Sequence, residues 1–119
     1  AILLNPSIIE EGLKPIVNEK KVLPGFVDVY AVDREGKTVI IEIKRKTAGK
    51  EAAVQLAKYV EYLRNKGNLE VRGILVAPRV SKGVQKMLTT LGLDIKILDP
   101  RTCAEMLIKN RIKKLDEFC

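Results

Sequence analysis

A mixed α/β domain is the fold class this sequence predicts, and three stretches of it carry the prediction. Residues 26–44 alternate apolar and polar side chains around a short polar turn, as two paired strands do. Residues 49–66 carry apolar side chains at helical spacing. From residue 71 onward, short apolar runs alternate with helical stretches, the pattern of strands joined through helices.

The elements follow in order. Ser7-Ile8-Ile9-Glu10 has capping-box spacing after Pro6, which predicts a short helix from Ile8 to about Gly12 with Glu10 and Glu11 as first-turn charges. Pro15 breaks that pattern, and Ile16 to Val22 reads as a first strand ending at the turn signal Pro24-Gly25. Phe26 to Lys44 then forms a hairpin. Arg34-Glu35-Gly36 suits a type I turn followed by a left-handed glycine, and it pairs Asp33 with Lys37. Counting outward from that pair sets position 28 directly opposite position 42. Val27, Val29, Ala31, Val39, Ile41 and Ile43 fall on one parity, and Asp28, Glu42 and Lys44 on the other.

Gly49 to Lys66 predicts an amphipathic helix burying Ala52, Ala53, Leu56, Val60 and Leu63, with Gly67 as its stop. Val71 to Ala77 is nearly continuous in its apolar character, as a strand covered on both faces would be. Ser81 to Leu91 reads as a helix, Leu93 to Leu98 as a strand, and Pro100 at the first helical position opens a helix to about Lys109. The expected sheet is therefore mixed: an antiparallel meander of three strands, then strands joined through helices on a partly parallel part.

Composition limits the function. The chain has 119 residues, 46% of them hydrophobic, which suits one domain with a real core. Its apolar runs are strand-sized, far below the roughly 20 residues that span a bilayer. A formal net charge of +7 favours a polyanionic partner, nucleic acid ahead of an anionic membrane surface. Cys103 and Cys119 lack CxxC spacing, so neither a zinc site nor a disulfide framework is indicated, and a reducing cytoplasm fits. Abundant Lys and Glu lean toward a thermophile. The opening Ala1-Ile2-Leu3-Leu4, without Met or signal-peptide order, reads as a cut into a longer protein. The absence of histidine removes Ser-His-Asp triads, Cys-His pairs and histidine-metal sites together.

What remains is a carboxylate and lysine chemistry. Two carboxylates opposed across a hairpin, with Cβ atoms about 4.5–5.5 Å apart, destabilise the sheet unless a cation compensates. Asp28 and Glu42 together can hold Mg²⁺ or Mn²⁺ through hard oxygens, and Lys44 can position water or neutralise charge on a phosphate. Gln55 and Tyr59 share a helical face, where they can orient Lys44, water or DNA. The competing reading is a solvated strand face with an incidental ion pair, beside a polar helix edge and a half-buried aromatic. Arg45, Lys46 and Lys50 follow directly and either grip phosphates or form an exposed basic loop. Arg79, Lys82 and Lys86 read as solubilising, Ser81 keeps a smaller prospect of phosphate binding, and Cys103 reads as core.

The pattern Asp28-x13-Glu42-x-Lys44-x10-Gln55-x3-Tyr59 resembles the PD-(D/E)xK restriction-endonuclease-like superfamily, in its RecB-like branch. Gly25-Phe26-Val27-Asp28-Val29-Tyr30, Val39-Ile40-Ile41-Glu42-Ile43-Lys44-Arg45-Lys46 and Asn5-Pro6-x4-Glu11-Gly12-Leu13 narrow the resemblance to the catalytic domain of the archaeal NucS/EndoMS endonucleases. That resemblance implies a restriction-endonuclease-like core and cleavage of DNA at mismatched, branched or single-stranded sites. It also implies a metal held by Asp28, Glu42 and the Ile43 carbonyl, a homodimer in the full-length protein, and a further ligand glutamate upstream of residue 1. Val27 stands where the superfamily name has proline. Residues 1–111 would be the nuclease domain. The tail 112–119 resembles a weakened sliding-clamp-binding box with Leu115 and Phe118 in its hydrophobic positions, a frayed helix being the other reading. The rival functions are a Holliday-junction resolvase and a nuclease fold that binds DNA or the clamp without cutting.

Overall fold

A computed structural model describes residues 8–15, 29–67 and 70–108. Among them are five strands, β1 (Lys14–Pro15), β2 (Val29–Val32), β3 (Thr38–Ile43), β4 (Val71–Ala77) and β5 (Asp94–Ile97). Helices α1 (Lys50–Asn65) and α2 (Val84–Thr90) are followed by α3 over residues 100–108. The sheet runs in the order β1-β2-β3-β4-β5. β1, β2 and β3 pair antiparallel, while β3, β4 and β5 pair parallel, so the sheet is mixed in the way the sequence predicts.

The β2–β3 hairpin fixes the register of everything beyond it. Val29 pairs with Ile41, Ala31 with Val39 and Val32 with Thr38, the predicted alignment. Its turn is closed by the Asp33 amide on the Lys37 carbonyl at 3.0 Å, and Gly36 has φ +83, a conformation that side-chain-bearing residues rarely adopt. The Asp33 carboxylate accepts from the Glu35 and Lys37 amides, each at 2.9 Å, and so caps the turn from inside.

Both faces of the sheet are covered. On one, Tyr30, Ile40, Leu75 and Ala77 pack with Ala52, Ala53, Leu56 and Val60 of α1 and with Val84 and Leu88 of α2. On the other, Val29, Ala31, Val39, Ile41, Ile43, Ile74 and Val76 pack with Ile9, Leu13, Cys103 and Met106. Ile40, Leu56 and Leu75 are completely enclosed, and each such side chain contributes about 1.5–3 kcal/mol. The central strands thus have no solvated face, which counts against the competing reading of the Glu42 parity as a solvated one.

Three boundaries differ from expectation. Ile8 is 3₁₀-helical, but residues 9–12 form a turn and bend rather than the expected helix, with the Leu13 amide on the Glu10 carbonyl at 3.2 Å; Ser7 lies outside the described residues. Pairing with β2 begins already at Lys14 and Pro15, where a break was expected, and proline is accommodated because β1 is the terminal strand of the described sheet. The expected strand Ile16–Val22 lies outside the described residues, as does all of 16–28. α2 starts at Val84 instead of Ser81 because Gly83, its N-cap, has a left-handed φ of +85, which interrupts the helical backbone; the Ser81 amide meanwhile donates to the Ala48 carbonyl at 2.9 Å. α3 begins as predicted, with the Asp99 carboxylate accepting from the Thr102 amide at 2.8 Å and Pro100 in the first helical position.

Candidate active site

The C-terminal end of β3 carries the first part of the site. Glu42 pairs in register with Leu75 and follows Ile40 by two positions, so its side chain projects to the α1 face. It is only 6% exposed. A carboxylate desolvated this far is costly to keep without compensating positive charge. Lys44, just past the strand, is anchored by its amide on the Val76 carbonyl at 2.8 Å. Its Nζ lies 3.8 Å from Glu42 Oε2, within ion-pair range but beyond hydrogen-bond length, and its side chain is partly exposed. Ile43 sits between them with its side chain in the opposite core, which locks the backbone that joins the two charged residues.

α1 carries the second part. Gln55 and Tyr59 are brought together by the helical repeat, Gln55 Nε2 donating to the Tyr59 hydroxyl at 3.2 Å. Tyr59 packs against the same core as Ile40, so this pair and Glu42 belong to one side of the sheet. With Lys50, Glu51, Val54 and Lys58 the two residues line an open groove along the helix. Arg45 and Lys46 on the connection between β3 and α1, and Lys50 at the first position of α1, are all exposed.

Asp28 lies outside the described residues, and so do Leu115 and Phe118. Among the described residues no group of three or more Asp, Glu, Cys or His could hold a metal ion. Glu42 therefore supplies a hard oxygen at this site but not a complete ligand set. Cys103 is fully buried, as expected, and burial followed by the charge of Asp99 pushes its thiol up.

One charged assembly escaped the sequence reading. Arg72, on β4, holds Glu10, Asp33 and Asp94 together at the opposite end of the sheet from Lys44. The available signal was an arginine inside the otherwise apolar run Val71-Arg72-Gly73-Ile74-Leu75-Val76-Ala77.

Comparison with known proteins agrees with this architecture. The model of the endonuclease NucS C-terminal domain matches residues 1–118. The chain belongs to the NucS C-terminal domain family. Endonuclease NucS of Pyrococcus furiosus is 48% identical over 99 residues, covering 83% of this chain and 37% of that protein. Endonuclease NucS of Methanocaldococcus jannaschii is 44% identical over 113 residues, covering 94% of this chain and 43% of its own length. A repair endonuclease from Pyrococcus abyssi superposes with a TM-score of 0.72 at 45% identity, over 81% of this chain and 42% of that one. An EndoMS–dsDNA complex gives 0.71 at 43% identity, over 81% of this chain and 40% of that one. The chain thus spans about two fifths of the length of these NucS relatives. No helix among the described residues is long and apolar enough to cross a membrane.

Proposed function

We propose that this chain is the nuclease domain of a metal-dependent DNA repair endonuclease that hydrolyses phosphodiester bonds at mismatched, branched or single-stranded sites. The observation that carries the reading is the buried Glu42 carboxylate at the end of β3 with Lys44 beside it, in a chain of the NucS family. The donor chemistry fits Mg²⁺ or Mn²⁺: an almost fully buried carboxylate is a hard, charged oxygen ligand. Asp28 and the Ile43 carbonyl would join Glu42 in holding the ion. The hairpin register supports this, because carrying it one residue beyond Val29–Ile41 sets position 28 against position 42. When bound, such an ion polarises the scissile phosphate and acidifies water.

The other side chains have separate tasks. Lys44 places positive charge where the phosphate becomes more negative and orients the attacking water. Tyr59 and Gln55 hold each other on the α1 face and limit the freedom of whatever occupies the groove. Arg45, Lys46 and Lys50 grip phosphates flanking the cut. The proposal extends to the whole protein as a homodimer in the cytoplasm, with residues 1–111 as the nuclease domain and the tail 112–119 engaging a sliding clamp through Leu115 and Phe118. The names of the relatives favour this over a Holliday-junction resolvase or a non-cutting DNA-binding module.

The test is cleavage of mismatched, flapped and four-way DNA by the full-length protein with Mg²⁺ or Mn²⁺, with and without EDTA, beside Asp28→Ala. The expected result is cutting of mismatched or flapped DNA that EDTA and the substitution both abolish. Equal cutting by Asp28→Ala sinks the mechanism, and exclusive cutting of four-way DNA points to the resolvase.

A further inference from the structure

Two loops meet at the rim where β3 and β4 end. The Ala48 amide donates to the Arg79 carbonyl at 3.0 Å, the Ser81 amide donates to the Ala48 carbonyl at 2.9 Å, and residues 48 and 80 form a parallel bridge. The loop after β3 and the loop after β4 are therefore one stitched unit. A Cβ placed on Gly83 would stand 3.7 Å from Lys50 Cε, so Lys50 lies against the second loop. Arg79 and Lys82 on that loop, Arg45 and Lys46 on the first, and Lys50 at the start of α1 are all exposed.

The charges at the two ends of the sheet are organised differently. At the hairpin end, Arg72 pairs with Glu10, Asp33 and Asp94, Arg34 with Glu11, and Lys37 with Glu35. At the rim, Arg45, Lys46, Lys50, Arg79 and Lys82 have no ion pair among the described residues. Five cations without an ion pair among the described residues thus gather at the end of the sheet that carries Glu42 and Lys44. Clustered, hydrated cations on neighbouring loops match the spaced charges of a nucleic-acid backbone.

We propose that Arg79 and Lys82 are phosphate contacts for the DNA strand that enters the Glu42 site, the loop after β4 acting as the second jaw of a two-loop grip whose first jaw is the loop after β3. This rests on the nuclease reading of that site. The rigid stitching through Ala48 holds the two jaws at a fixed spacing, so the strand is set in place rather than merely attracted. Because phosphate contacts carry no sequence information, both residues act equally on matched and mismatched DNA.

The experiment is the salt dependence of DNA binding by the full-length protein, with fluorescent duplex in Ca²⁺ buffer that withholds cutting, for wild type and for Arg79→Gln with Lys82→Gln. Each lost phosphate contact removes about one unit from the slope of log affinity against log salt. The expected result is a slope shallower by about two units and affinity weaker on the order of tenfold at moderate salt. A control, Arg34→Gln with Lys37→Gln, removes the same charge from the far end of the hairpin and leaves the slope within error. An unchanged slope in the Arg79 and Lys82 variant overturns the proposal, and so does an equal change in the control, which would reduce the effect to net charge. Glu42→Gln reports on the nuclease reading separately: it should bind with the wild-type slope and fail to cut in Mg²⁺. If it cuts, the reading of the site has failed whatever the slopes show.

Discussion

Arg72 donates two hydrogen bonds to Glu10, Nη1 to Oε2 at 2.8 Å and Nη2 to Oε1 at 2.6 Å, across 62 positions of sequence. The same guanidinium reaches Asp33 at 3.1 Å and Asp94 at 2.9 Å, so one side chain ties the turn before β1, the hairpin turn and β5 to β4. The hydrogen bonds from Arg72 hold the Glu10 carboxyl below its ordinary value. Burial pushes Asp33 up, but the Lys37 amide, Arg72 and the Glu35 amide outweigh it and leave that carboxyl depressed as well. Depressed carboxylates contribute stability that is fully present above the unfolded-state values and is lost as pH falls through the lower folded ones. Urea midpoints should therefore hold from pH 7 to about 5 and decline below about 4. Arg72→Met should lower stability at pH 7 by about 2–3 kcal/mol and flatten that acid decline. An unaltered acid limb would show that these pairs are not its source.

Glu42 separates function from stability. It occupies a strand position where an apolar residue would pack well, and it is nearly as enclosed as Ile43. Removing a charge from such a place tends to stabilise, on the order of 0.5–2 kcal/mol. Glu42→Gln in EDTA should raise or preserve the urea midpoint while abolishing cleavage in Mg²⁺. A large loss of stability would mean that the carboxylate is structural.

Lys44 is tested by rate. Lys44→Gln keeps the backbone anchor on Val76 and removes only the charge that lies 3.8 Å from Glu42. Single-turnover cleavage should slow about 10²–10³-fold with DNA affinity nearly unchanged, the size of effect expected for a lost electrostatic contact to the transition state. A loss confined to affinity would make Lys44 one more phosphate contact.

Much of this was legible in the chain because local rules and tertiary demands agreed. The turn residues Arg34-Glu35-Gly36 set the hairpin register, which runs from Val32–Thr38 to Val29–Ile41 as expected. α1, β4 and the start of α3 followed from periodicity and caps. The burial of Glu42 was not legible, because alternation suggests one wet face and only the packing of α1 over Ile40 and Leu75 makes that face dry. Nor was the Arg72 cluster, whose partners are brought together by sheet order rather than by spacing. The late start of α2 follows from Gly83, whose left-handed backbone caps it; that glycine stood inside the expected helix and was the local signal for a later start.

Tyr59 should act through position rather than contact with the reacting atoms. Its hydroxyl accepts the Gln55 hydrogen bond, and its ring belongs to the core. Tyr59→Phe keeps the ring, so stability should change by less than about 1 kcal/mol. Supporting hydrogen bonds behind a reactive site are typically worth about 10–100-fold, and the cleavage rate should fall toward the lower end of that range. Gln55→Ala should produce a similar loss, and the double variant no more than the larger single one, since the two changes remove one interaction. Additive losses would show that the residues work independently.

Gly73 marks a close approach of β4 to the elements above it. A Cβ there would stand 2.8 Å from Leu93 Cδ2, 2.9 Å from Val60 Cγ2 and 3.2 Å from Leu56 Cγ. All three neighbours are buried, and Leu56 is completely enclosed, so the contact cannot be relieved by a side chain swinging into solvent. Gly73→Ala should therefore overpack the core beneath α1 and cost about 1–3 kcal/mol. Because α1 carries Gln55 and Tyr59, the displacement should also reach the groove. The substitution is expected to slow cleavage more than an equally destabilising change in the opposite core, such as Met106→Ala. Thermal unfolding and single-turnover rates measured on both variants decide it, and equal rates at equal stability would confine the role of Gly73 to packing.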